Sequence, residues 1–205
     1  MAKDITKLER VGAHPALDFA NTVSWRGTAR AAEYLRNYDA LLAWSKAAGL
    51  VSQREARRLR RASAHDKRRA AAALRRALTL RETIFLVGST LARDSVPPRA
   101  AVARVHAARL AALAHARLEP TPRGAWTPTW RSTAAPPDLD RPWWPVALAF
   151  ASLLEEPLRY PLGICPDCSW LFIDRTHNRS RRWCSSGDCG NRARGRRFRV
   201  RHRSR

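Results

Sequence analysis

Four cysteines near the C-terminus carry the clearest chemistry in the sequence: Cys165, Cys168, Cys184 and Cys189, spaced C-x2-C-x15-C-x4-C. A C-x2-C pair presents two sulfurs from one tight turn, and a second pair can then complete a tetrahedron around a zinc ion. Four thiolates saturate zinc and leave no position for water, so we expect one structural Zn²⁺ and no catalytic metal. The alternatives are a redox dithiol, chance clustering, and a site in which His177 replaces one cysteine.

The residues around the cysteines predict the elements that position them. Residues 170–174, WLFID, favour a strand, residues 175–180 a turn, and residues 181–184, RRWC, the returning strand. The second cysteine pair runs into an arginine-rich segment at 189–203 that favours a helix. We therefore expect a treble-clef-like four-cysteine zinc finger over residues 162–205, built as knuckle, β-hairpin and helix.

This finger resembles the CGNR zinc finger, named for the tetrapeptide that stands at 189–192. The other matching strings are CPDC at 165–168, WLFIDR at 170–175 and RRWC at 181–184. Upstream, LDFANTV at 17–23, YDALLAW at 38–44 and LRE at 80–82 are similar to the ABATE domain that accompanies this finger. The resemblance implies a stress-induced bacterial transcription regulator. The run THNRS at 176–180 departs from the family, which more often has a basic Ser-Arg-Asn-type sequence there.

Arginines follow the last cysteine almost without interruption and suit contact with nucleic acid. An arginine can pair with phosphate or bind guanine through two hydrogen bonds. Asn191 is either an adenine-reading residue or a helix cap, and Phe198 and Val200 are expected to pack back on the finger. A disordered basic tail is the alternative for residues 199–205. The predicted DNA-binding residues are Asn191, Arg192, Arg194, Arg196, Arg197, Arg199, Arg181 and Arg182.

The whole chain is strongly basic, with 39 Lys and Arg against 17 Asp and Glu and a net charge of +22. Such a charge favours polyanionic partners, here double-stranded DNA. No apolar run approaches the length of a membrane span, and the N-terminus lacks the apolar core of a signal peptide. These features predict a cytoplasmic, nucleoid-associated protein without membrane contact.

Residues 1–158 predict a mainly α-helical N-terminal domain with a small β-hairpin element. Helices are expected over 30–48, 98–113 and 143–155. Between the first two of these, a Ser52–Glu55 capping box is expected to begin a basic helix, and Ser63 with Asp66 to begin a third. The third carries a seven-position apolar stripe: Ala70, Ala73, Ala77, Leu80, Ile84, Val87 and Leu91. The hairpin is expected on either side of Pro120 to Gly124, and a loop over 132–142.

Arg81 adjoins that apolar stripe, so its side chain is expected to approach the interior and to need an acidic partner. Asp18 and Glu82 are the candidate partners. Together with Asn21 and Thr22 they either line a small-ligand pocket or form a buried structural cluster. Basic residues between Arg54 and Arg76 form a second surface, which is either a solvated helix face or an additional DNA contact.

These features predict a DNA-binding transcription regulator whose N-terminal domain senses a small-molecule effector or forms a homodimer. An RNA- or ribosome-associated zinc-binding protein is the first alternative, because the same finger and charge would serve it. A small-molecule-processing enzyme is the second. The sequence offers no nucleophile–base pair, open metal site or phosphate loop, so no enzymatic activity is predicted.

Overall fold

A computed structural model describes residues 4–122, 124–130, 137–155 and 159–203. The α-helices within these ranges are α1 (Pro15–Ala20), α2 (Tyr38–Ala47), α3 (Gln53–His65), α4 (Lys67–Leu91), α5 (Arg99–Ala114), α6 (Trp144–Glu155) and α7 (Asn191–Arg203). The strands are β1 (Val23–Ser24), β2 (Ala32–Glu33), β3 (Arg117–Pro120), β4 (Trp126–Thr129), β5 (Leu162–Ile164) and β6 (Leu171–Ile173). No helix in these ranges is long and apolar enough to cross a membrane.

Helix α4 is the centre of the N-terminal region and contacts α1, α2, α3 and α5. Its apolar stripe is confirmed as core, because the six positions from Ala70 to Val87 are buried and Leu91 is half-buried. Asp66 accepts the amide of Arg69 at 2.8 Å and begins the helix. Ser63 instead lies inside α3. The capping box that opens α3 is confirmed, since the side chains of Ser52 and Glu55 each accept the other's backbone amide.

The helix expected over 30–48 is wrong over residues 30–37. Helix α2 begins at Tyr38, because the side chain of Asn37 accepts the amide of Ala40 at 2.8 Å and caps it. The preceding residues Ala32–Glu33 form β2, which pairs with β1. The β3–β4 hairpin is confirmed, with Arg117 opposite Thr129 and Pro120 opposite Trp126. Of the loop expected over 132–142, residues 132–136 lie outside the described ranges.

The C-terminal hairpin differs from the expected one in its pairing. Strand β6 is antiparallel to β5, with Leu162 opposite Ile173 and Ile164 opposite Leu171. The first cysteine pair therefore lies in the turn between these strands. The returning strand expected at 181–184 is wrong, since those residues form an irregular segment that leads into a helical turn at Ser186–Gly190 and then α7.

The two faces of β6 join the finger to the helices. Leu171 and Ile173 belong to the main hydrophobic core, while Phe172 and Trp170 surround the cysteines. Helix α4 approaches this strand so closely that a Cβ added at Gly88 would lie 2.8 Å from Cδ1 of Leu171. The main core therefore includes residues on both sides of the expected boundary near 158–162, and the division into two domains stays a prediction.

Candidate metal centre and basic helix

The four cysteines converge on one point. Their sulfurs lie within 4.8 Å of one another, and each residue is only 1–3% exposed. A tetrahedral zinc ion with bonds of about 2.3 Å would hold its sulfurs about 3.8 Å apart, close to the 3.4 Å that separates Sγ of Cys184 from those of Cys168 and Cys189. The donor set therefore fits one structural Zn²⁺. His177 is exposed and is not part of this cluster.

Burial raises the pKa of Cys189 to about 11 and so favours its thiol form until a cation is bound. A zinc ion in the cluster would favour the thiolates and release protons on binding. Metal binding should therefore weaken as pH falls.

The turn that carries Cys165 and Cys168, which we call the knuckle, is held by hydrogen bonds with residues near both ends of the chain. The amide of Ser169 donates to Cys165 O at 2.9 Å, and Ser169 itself adopts a left-handed φ of 65°. The amide of Trp25 donates to Cys168 O at 2.9 Å, and the indole of Trp170 donates to Val23 O at 3.1 Å. Strand β1 and its neighbour Trp25 thus brace the first two ligands.

Arg181 has a place inside the finger. Its guanidinium donates to the carbonyls of Val11, Ile173, Trp183 and Cys184 and lies 4.5 Å from the centre of the Phe172 ring. The buried carboxylate of Asp174 fixes the same segment by accepting the amides of Thr176 and Arg181. These hydrogen bonds outweigh burial and hold the pKa of Asp174 below its ordinary value.

Asp167, inside the first cysteine pair, binds two arginines of α7. Its side chain is only 4% exposed and accepts Nε of Arg192 and Nη1 of Arg196, each at 2.8 Å. Arg192 also donates to Asp188 at 2.6 Å and to Sγ of Cys189 at 2.7 Å. Burial raises the pKa of Asp167, but the two guanidinium groups outweigh it and hold the pKa low. The first two turns of α7 are therefore fixed to the knuckle.

The remaining predicted DNA-binding residues lie at the surface. The amide of Asn191 donates to Gly187 O and accepts from Arg194, which also donates to Ser186 O at 3.2 Å. Arg182 is exposed and its guanidinium lies 5.3 Å from the centre of the Trp183 ring. Arg197 and Arg199 are exposed on the later turns of α7.

The expectation that Phe198 and Val200 pack back on the finger is wrong. They are 63% and 67% exposed. Arg196 binds Asp167 and Ala193 is buried, so the start of α7 is held against the rest of the finger. The later turns of the helix extend beyond it.

Comparison with known families agrees with this geometry. A family model described as "ABATE: Putative stress-induced transcription regulator" matches residues 13–157, which is more than half of the chain. The chain belongs to the ABATE family. A second model, the CGNR zinc finger, matches residues 162–202 and thus contains all four cysteines. Neither model describes an enzyme class. No curated protein matches the chain.

Within the ABATE region, Arg81 is buried as expected, and its strongest partner is one that sequence reasoning missed. Its two terminal nitrogens each donate to a carboxylate oxygen of Glu33 at 2.7 Å, and Nε donates to Glu82 at 2.8 Å. Glu33 pairs with Arg81 because β2 carries it alongside α4. The signal was hidden because residues 30–37 were expected to be helical.

The other residues of the predicted ligand pocket do not all lie in one cluster. Thr22 lies beside Arg81, with 3.4 Å between its hydroxyl and Nη1, and donates to Phe19 O at 2.7 Å. Asp18 instead accepts the amide of Gly12 at 2.8 Å. Asn21 pairs with the backbone of Leu171. The structure thus brings Thr22, Arg81 and Glu82 together and gives Asp18 and Asn21 other partners.

Proposed function

We propose that this ABATE-family regulator binds double-stranded DNA through α7. The main observation in support is that Asp167 binds Arg192 and Arg196 on one side of the helix, while exposed arginines cover much of the rest. A basic helix with a fixed start has a fixed direction of approach, and a width that suits the major groove.

The structure supports two roles among the predicted arginines. Arg181, Arg192 and Arg196 make contacts within the finger, so we assign them to positioning the helix. Arg194 contacts Ser186 and Asn191 and so also helps to position the start of the helix. Arg182, Arg197 and Arg199 are exposed, so we assign them to phosphate and base contact. Binding through phosphate releases counterions and should weaken steeply as salt rises. A nucleoid-associated location follows from such binding.

The effector and the homodimer expected from the sequence stay predictions. Asp18, Asn21, Thr22, Arg81 and Glu82 each have a hydrogen-bond partner within the chain. Their contacts are sufficient for a structural role. A thermal-shift screen of metabolites would reveal an effector as a compound that stabilises the native protein.

The test compares two double variants with the same loss of charge. Fluorescence anisotropy would follow the full-length, zinc-loaded protein on a random-sequence duplex at two salt concentrations. Arg197→Gln with Arg199→Gln should weaken binding and reduce the salt slope by about one unit per lost phosphate contact. The control is Arg99→Gln with Arg104→Gln, which changes exposed residues of α5 outside the second basic surface.

Equal losses in the two double variants would assign binding to net charge instead of α7. A structured RNA that binds more tightly than every duplex would favour the RNA-associated alternative. Either result would overturn the proposed function.

A further inference from the structure

One face of α7 carries no arginine. Asn191, Gly195, Phe198 and His202 are spaced by four, three and four residues and so share this face of the helix. Ala193 is buried and Arg196 binds Asp167 on the opposite side. This face therefore points away from the finger, with Arg194, Arg197 and Arg201 along its edge.

Phe198 is the unusual member of this face. Its side chain is 63% exposed, and the ring of His202 lies 4.1 Å away at 50°. The histidine ring restricts the space open to the phenyl ring on one side. An exposed aromatic ring between arginines forfeits the free energy of burial, which a partner with both charge and apolar surface would recover.

Gly195 makes close approach to this face feasible. A Cβ added there would meet nothing within 4 Å. Glycine inside a helix lowers helix stability relative to alanine, but here its missing side chain lets a bulky partner reach the helix backbone. Together with its arginine and aromatic neighbours it lines an open groove along α7.

We propose that Phe198 contacts the 5-methyl group of a thymine in the major groove. This inference rests on the proposed DNA binding. The major groove places phosphates on both sides of base edges, and the thymine methyl is the apolar group among those edges. Flanking arginines can reach the phosphates while Phe198 faces the bases. Asn191 is less suited to reading a base, because its amide already contacts Gly187 and Arg194.

The experiment begins by selecting a preferred duplex from a random library with the full-length, zinc-loaded protein. Each thymine of that duplex is then replaced by deoxyuridine, which removes only the methyl group. At one position the wild-type protein should lose about fourfold in affinity, the effect of one methyl group. Phe198→Ala should bind the thymine duplex about tenfold more weakly and should not respond to deoxyuridine at that position.

Val200→Ala is the matched control, because Val200 is similarly exposed on another side of the same helix. It should keep both the affinity and the response to deoxyuridine. Circular dichroism and zinc content of the variants would show that α7 and the metal centre are retained.

Three results would overturn the inference. If no thymine position responds to deoxyuridine while Phe198→Ala still weakens binding, the ring acts elsewhere, as in minor-groove insertion. If sedimentation shows that Phe198→Ala converts a dimer to a monomer, the ring belongs to a self-association surface. If no duplex is enriched at all, the proposed DNA binding fails, and this inference fails with it.

Discussion

The side-chain amide of Asn21 forms two hydrogen bonds with the backbone of Leu171, donating to its carbonyl and accepting from its amide, each at 2.8 Å. Asn21 thereby occupies the free edge of β6 as a neighbouring strand would. The two residues are 150 positions apart, and both are fully buried. The contact joins the ABATE region to the strand that follows the first cysteine pair.

We expect Asn21→Ala to destabilise the protein by about 2–4 kcal/mol, because it leaves two buried backbone groups of Leu171 without partners. Urea denaturation followed by tryptophan fluorescence would measure the change. Asn37→Ala removes only an exposed helix cap and should cost about 1 kcal/mol. Equal effects of the two substitutions would show that the Leu171 contact contributes no more than a cap.

Metal removal should destabilise both regions together. The protein should contain one zinc per chain, and a chelator, Cys165→Ser or Cys184→Ser should remove it. Because Leu171 and Ile173 lie in the main core, we expect a single thermal transition, lowered by roughly 10 °C or more. Calorimetry would test this. An upper transition that stays unchanged after zinc removal would show instead that the finger unfolds alone.

Local signals in the sequence were sufficient for much of the fold. The apolar stripe of α4, the capping box of α3 and the turn residues of the β3–β4 hairpin each depend on neighbours within a few residues. The metal centre was also predictable, because the chemistry and spacing of the four cysteines indicate zinc binding without knowledge of the surrounding fold.

Contacts distant in sequence could not be predicted. Glu33 pairs with Arg81 only because Asn37 begins α2 later than expected and leaves β2 beside α4. Asn21 and Leu171 have no sequence pattern that relates them. The exposure of Phe198 was missed because a short apolar residue pattern gives no information about how far α7 extends past the finger body.

Arg192 should matter for zinc affinity because it contacts a ligand sulfur. It donates to Sγ of Cys189 and binds Asp167 within the knuckle. Loss of such support around a metal typically lowers affinity about 10- to 100-fold, so we expect that range for Arg192→Met in competition with a chromogenic chelator. Arg199→Met, at an exposed position on α7, should leave zinc affinity unchanged. A similar loss in both variants would contradict this role.

Arg81→Met should cost about 2–4 kcal/mol, since Glu33 would lose both hydrogen bonds in a half-buried position. Arg75→Met, on an exposed position of α4, should have little effect. In the double variant Arg81→Met with Glu33→Gln the two losses should not add, because they remove the same interaction. Additive losses in chemical denaturation would show that Arg81 and Glu33 contribute independently.

Asp18 should make stability depend on pH. Burial raises its pKa from the ordinary 3.8 to about 6, although the amide of Gly12 and the charge of Arg10 oppose the shift. The folded protein therefore holds this proton more tightly than the unfolded chain. The resulting stabilisation is complete below about pH 3.8 and is lost as pH rises through 6.

Asp18→Asn keeps an oxygen to accept the amide of Gly12 and removes the charge. We expect the free energy of unfolding of the variant to rise by about 1 kcal/mol relative to that of the wild type as pH rises from roughly 5 to 8. Denaturation curves at several pH values would measure this difference, and titrations shared by both proteins, including those of the cysteines, would cancel. Asp94→Asn, an exposed control, should show no such trend. A constant difference between Asp18→Asn and wild type across this range would mean that Asp18 is charged in the fold at no cost, with Arg10 compensating for its burial.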